Sequence, residues 1–255
     1  MLSNNIKFEL ESISTIFLRE LKGYIFSSIA YIYATIFLIF ANGLTFYWAD
    51  LIAYGQANLI PFFSVHIYLY LIFLPVLAMR LWSEERKSGT IEVLLTSPLS
   101  ILSLVIGKFL ASWFFMGIVL ILTMPMWVTI NILGNPDNGV IFFSYLGSFM
   151  VSGVFLSICN YASIQTEKQI IAFSIGMILC LLLTITGLSV VMEPLSNILS
   201  PSLLDIIRNF SILIHYQGFI KGFFPLSALL YMISIIIYFI YLTKVRIDYY
   251  RDVGH

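Results

Sequence analysis

Charge is scarce in this sequence. Asp, Glu, Lys and Arg make up 10% of its 255 residues, against about 25% in an ordinary soluble domain. With 60% of the chain hydrophobic, there is too little polar surface to cover a soluble fold of this length. That leaves a polytopic helical membrane protein. The net charge is zero, so no basic surface points to nucleic acid. Cysteine is scarcer still: Cys159 and Cys180 both lie inside apolar runs. They read as small packing residues, with no disulfide framework expected.

Motifs for chemistry are missing too. No H-x-x-x-H or H-E-x-x-H spacing occurs, which argues against a metal site. There is no G-x-S-x-G for a serine nucleophile and no G-x-x-x-x-G-K-[ST] to cradle ATP. His66 and His215 lie far apart in sequence. Membrane proteases that use paired glutamates and a following arginine would need Arg at position 89, after Glu84 and Glu85, but Gly stands there. No ring of charge lines the spans as an ion channel requires. No enzymatic activity or bound cofactor is expected of this chain.

What is present is a series of long apolar runs. A helix crosses the hydrocarbon core with about 20 residues, and six stretches qualify: 25–46, 60–80, 99–133, 140–163, 169–191 and 223–243. The third exceeds what a span needs, and Pro125 should interrupt it near one end. The first is too long for a signal-peptide core and lacks an A-x-A-like site, so it reads as a retained anchor. With the N-terminus inside, inner segments hold eleven of the thirteen Lys and Arg residues, leaving Arg208 and Lys221 outside. The positive-inside rule then places both termini, and residues 81–98, in the cytoplasm. Lys108 lies about 15 Å into the third helix from Pro98 and is expected to snorkel back to the surface.

Residues 6–24 put Leu10, Ile13, Phe17 and Leu21 on one helical face, with Glu9, Ser12, Arg19, Glu20 and Lys22 opposite. An amphipathic helix lying along the inner leaflet is expected; packing on a soluble partner is the alternative. Residues 193–222 are too apolar for a free loop and too interrupted for a seventh span. They predict an outer re-entrant helical hairpin, with Ser200-Pro201 opening one helix. Ala172, Gly176, Cys180 and Thr184 recur every four residues, as do Ser144, Ser148 and Ser152. Such small-residue stripes suit close helix packing, within one subunit or between two.

The charge that exists is concentrated in "LWSEERKSGTIEVLLTSPLS", residues 81–100. Gly89 should break the chain, with Thr90 opening a short helix through Leu95 and Glu92 suiting its first turn. Ser97 should cap the next helix, with Pro98 at its first position. Ile91, Leu94 and Leu95 would share a bare apolar face. That face would suit a groove on another protein, or the membrane surface.

This run resembles the signature between the second and third spans of ABC-2 type transporter permeases. The residues that carry it are Glu85, Gly89, Thr90, Ile91, Glu92, Leu94, Leu95, Ser97 and Pro98. The amphipathic N-terminal helix, six spans and outer hairpin are similar to that family throughout. The segment 215–232 and the compact size look most like gliding-motility-associated permeases. Only about a dozen residues separate the first two spans, so the large outer domain of some relatives is not expected.

The resemblance implies an all-α permease subunit of an ATP-driven exporter in a bacterial cytoplasmic membrane. A separate cytoplasmic ATPase would bind ATP and Mg, and a second permease chain, identical or paralogous, would complete the pathway. A periplasmic or membrane accessory protein has room as a further partner. The 84–98 segment would be the coupling helix, with Ile91, Leu94 and Leu95 as anchors. Glu84, Glu85, Arg86, Lys87 and Glu92 would set orientation. A non-transporting anchor that recruits an ATPase is the alternative.

Overall fold

A computed structural model describes residues 2–48 and 58–253, and every regular element among them is an α-helix. Helix α1 (Leu2–Ile25) is followed by α2 (Ser28–Trp48), α3 (Ile60–Ala78), α4 (Arg80–Ser88) and α5 (Thr90–Leu95). Then come α6 (Ile101–Ile121), α7 (Pro125–Leu133), α8 (Asn138–Ile164) and α9 (Gln169–Ile185). Three short helices, α10 (Ser189–Ser196), α11 (Pro201–Asn209) and α12 (Ile212–Ile220), precede α13 (Leu226–Val253). Five segments are long and apolar enough to cross a membrane, or six if α9 and α10, bent by 62°, form one span. The short connection between the first two spans falls on residues 49–57, outside the described residues.

Helix α8 is the centre. Residues 151–160 are all buried, and α3, α6, α9, α12 and α13 pack around it. Small side chains permit this. A Cβ on Gly153 would meet the Trp113 indole at 2.7 Å, so only glycine lets α6 approach there. Helices α2 and α13 bury a smaller share of their residues than the spans built on α3, α6 and α8 and lie on the periphery, as lipid-facing or partner-facing helices do.

Several boundaries move from where the apolar runs place them. The chain breaks at 26–27, so the first span begins at Ser28. The second does not end at 80: α4 continues α3 after a single-residue joint at Met79, whose N–H bonds to Pro75 O at 2.9 Å. Residues 122–124 interrupt the third helix, and Pro125 starts α7, where its missing N–H costs nothing. The fifth ends at Ile185, because Gly187 turns the chain tightly against Ser211. The last runs on to Val253, past its apolar stretch, with Asp248 reaching Lys244 (3.8 Å) and Arg251 (3.5 Å) along the helix.

Helix α1 packs along α6 of the same chain. Its buried residues are Ser12, Ile16 and Leu21, while Leu10 is 61% exposed. Ile16 rests on Gly107, where a Cβ would come within 2.7 Å. The buried line is therefore rotated from the Leu10–Ile13–Phe17–Leu21 face, because the glycine on α6 selects its own contact.

The two ends of the bundle differ. At one, the start of α12 lies beside Thr184 on α9, and Tyr216 donates to Phe63 O at the start of α3 (2.9 Å). At the other, the end of α8 meets α4. The candidate site lies at this second end.

Candidate functional site

The charged stretch is helical almost throughout. Helix α4 buries Leu81, Trp82 and Ser83 and turns Glu84, Lys87 and Ser88 outward. Gly89 closes it in the left-handed conformation (φ +72°), which glycine adopts without the steric cost other residues bear. Helix α5 follows at once.

Trp82 Nε1 donates to Asn160 Oδ1 at 2.6 Å, and the backbone N–H groups of Trp82 and Ser83 both donate to Ser163 Oγ (3.0 and 3.2 Å). The Ser163 hydroxyl donates in turn to Met79 O at 3.0 Å. This ties α4 to the end of α8 exactly where α3 is interrupted. Arg86 donates to Ile164 O at 2.7 Å, reaches Glu167 at 3.4 Å, and lies 5.0 Å from the centre of the Tyr250 ring. One guanidinium thereby joins α4, the α8–α9 connection and the end of α13.

Lys108 binds the other side. It does not snorkel: its side chain is 3% exposed, and Nζ donates to Glu85 (2.7 Å), Leu81 O (3.1 Å) and Glu20 (3.3 Å). An ammonium has three donors, and all three are used. The Trp82 ring lies 5.1 Å from the same nitrogen, close enough for cation–π attraction. Burial raises the Glu20 carboxyl pKa, but Lys108 and Arg19 outweigh burial and hold it below its ordinary value. Two carboxylates and a carbonyl meet the inward-turned ammonium, which offsets the cost of burying its charge.

Helix α5 is oriented otherwise than its sequence suggests. Ile91 is 1% exposed and Leu94 and Leu95 are half-buried, while Val93 is 70% exposed between exposed Glu92 and half-buried Leu94. The apolar face is covered by the chain itself, since the left-handed turn at Gly89 aims Ile91 inward. Thr90 stays outside, its hydroxyl 2.9 Å from Ser88 Oγ. The cap of α6 is also displaced. Ser100, and not Ser97, accepts from Ser103 N at 3.1 Å, while Ser97 Oγ donates to Leu94 O. Glu9 of α1 accepts from the hydroxyls of Ser100 and Ser103, each at 3.2 Å, placing a carboxylate where the α6 dipole favours one.

The structure thus gathers Glu85, Arg86 and Ile91 into the protein and leaves Glu84, Lys87, Thr90, Glu92 and Val93 outward. The sequence reading did not assign Glu20, Trp82, Asn160 and Ser163 to this junction. Asn160 carried a signal, as a lone amide in a run of small and apolar residues. Trp82 carried none.

Other expected positions lie elsewhere. Ala172, Gly176, Cys180 and Thr184 are the buried residues of α9. They rest on α8, with the two cysteine sulfurs 3.8 Å apart and unbonded. His66 sits with Ser148 (3.0 Å) inside the bundle, and His215 stacks on Tyr231. Among the described residues no group of three metal-ligating side chains forms.

A model of the family described as "ABC-2 family transporter protein" matches residues 68–245. The match takes in most of α3, the whole α4–α5 corner and the later helices as far as residue 245 in α13. No curated protein matches the chain. Matched over well more than half its length, the chain belongs to the ABC-2 transporter family and is a multi-pass membrane permease subunit of an ABC transporter.

Proposed function

We propose that the α4–α5 corner docks into a cytoplasmic ABC ATPase and passes its movement to the spans of an exporter. Membership of the family implies an ATPase partner, and often a second permease chain. The observation that carries the reading is the two-sidedness of the corner. Val93 stands 70% exposed, with Glu92, Thr90 and Lys87 exposed nearby. The opposite side is fastened to α6, α8 and α13 through Glu85, Trp82 and Arg86, and Lys108 links the same junction to Glu20 on α1. A surface that binds outside and is fixed inside can transmit a push.

In this reading Val93 is the apolar anchor, with Leu94 and Leu95 at its edge, and the exposed charges set orientation. The excess of Lys and Arg on the α4–α5 side supports a cytoplasmic corner and cytoplasmic termini, in a bacterial inner membrane. Residues 193–222, which take in the end of α10, all of α11 and all of α12, would form the outer re-entrant hairpin. The partner permease would be an identical or paralogous chain, and the subgroup that the sequence resembles is the gliding-motility-associated permeases.

The test is co-purification with the ATPase encoded beside it, comparing wild type with Val93→Asp/Glu92→Lys. Both substituted side chains are exposed, so membrane insertion should persist. Loss of the ATPase from an inserted variant is expected. Full retention would remove the corner from the interface. A complex that holds the ATPase yet drives no ATP-dependent flux in vesicles would favour a non-transporting anchor.

A further inference from the structure

Between α1, α2 and the α3–α4 joint lies a cavity of about 310 Å³. Its walls divide by chemistry. Ile29, Ala30, Val76 and Leu77 line one part, and Ile29 and Val76 are open on the outer surface of the bundle. In a membrane-spanning chain, that opening faces acyl chains. The other part is lined by Arg80, Glu84 and the Glu20–Lys108–Glu85 junction.

Two of these charges are uncommitted. Arg80 and Glu84 are four residues apart on α4, with Cβ atoms about 5–6 Å apart on one face. Both are exposed, and neither forms an ion pair with any charged group among the described residues. Behind them, Glu85 Oε2 is buried without a hydrogen-bond partner. A guanidinium offers phosphate a planar fork of donors, and a carboxylate accepts from an ammonium. The cavity has three carboxylates and two cations, so a purely anionic headgroup would meet more repulsion than attraction. A headgroup with both a phosphate and an amine satisfies each side.

We propose that this cavity binds one membrane lipid whose headgroup carries a phosphate and a primary amine. The phosphate lies on Arg80, the amine against Glu84, and the acyl chains pass out over Ile29 and Val76. The proposal rests on the chain spanning a membrane and not on the docking of an ATPase, so either can fail alone.

The test uses the full chain in nanodiscs of phosphatidylglycerol containing a trace of photoactivatable phosphatidylethanolamine. Labelling should concentrate on peptides around residues 24–33 and 76–88. Unlabelled phosphatidylethanolamine at about ten times its half-saturating level should suppress it about tenfold by mass action. Diacylglycerol and soluble phosphoethanolamine should not. Arg80→Glu and Glu84→Arg should each lower labelling similarly, and the double exchange should restore it. Equal competition by diacylglycerol would reduce the site to an apolar crevice and overturn the proposal. Competition by phosphoethanolamine alone would overturn the lipid. If Arg80→Glu does not fold, Arg80→Gln replaces it, and unchanged labelling in either folded variant refutes the assignment.

Discussion

Replacing Lys108 with methionine keeps most of the length of the apolar stem and removes the cation that Glu85, Glu20 and Leu81 O share. An exposed ion pair contributes about 0–1 kcal/mol, whereas removing one partner of a buried pair costs about 3–5 kcal/mol, because the other charge is left uncompensated. Here the lysine side chain is 3% exposed and the two carboxylates 18% and 21%. Glu20 also retains Arg19 at 2.6 Å. Those features place Lys108→Met at the lower end, about 3 kcal/mol. Most of that cost should fall on Glu85, which has no second cation within ion-pair distance among the described residues. The double variant Lys108→Met/Glu85→Gln should therefore be more stable than the single, by at least about 1 kcal/mol of coupling. The assay is denaturation of the purified permease in detergent. Lys244→Met serves as control, since that lysine is 39% exposed and 3.8 Å from Asp248. If Lys108→Met costs no more than Lys244→Met, or if the double variant is worse than the single, the buried junction is not holding α4 in place.

Three further outcomes follow from the same corner. Gly89→Ala should destabilise by about 1–2 kcal/mol through backbone strain alone, since φ is +72° and nothing lies within 4 Å of the added Cβ; Gly89→Asn should lose less in the same unfolding assay. Trp82→Phe should cost about 1–3 kcal/mol, because Asn160 Oδ1 loses its 2.6 Å donor in a buried site; faster hydrogen exchange at the end of α8 would register it. Glu20→Gln should flatten the acid limb of the stability curve. The folded-state pKa of Glu20 lies below its ordinary 4.5, so its stabilisation is complete above that value and is lost as pH falls through the lowered one. The gap between wild type and variant should close over that window, and a constant gap would mean that Glu20 is not held low.

The spans were legible because twenty apolar residues in a row have few other structural outcomes. Their ends were not. The second helix runs through Glu84, Glu85, Arg86 and Lys87 because helix hydrogen bonding continues where hydrophobicity stops, and Ser163 and Asn160 hold the extension in place. The break after the charges could be read from Gly89, since a left-handed turn is what glycine permits. The direction α5 takes afterwards could not. Periodicity groups Ile91, Leu94 and Leu95, but whether that face meets a partner or the chain itself depends on a turn angle and on distant helices. Lys108 shows the same limit. A lone lysine ten residues inside a helix is visible in sequence, whereas Glu20, 88 residues away, is brought to it by the packing of α1 on α6. The small-residue stripes told of close packing, and the structure adds that α9 turns its stripe toward α8.

The measurement that bears most directly on the account is site-specific photo-cross-linking of the intact complex in its membrane. A benzophenone amino acid replaces Val93 at the exposed corner, and in a second preparation Phe210, 62% exposed at the other end of the bundle. The account predicts an ATPase adduct from position 93 that strengthens when ATP hydrolysis is trapped, and none from position 210. An adduct from 210, or an inserted and assembled complex with none from 93, would contradict it.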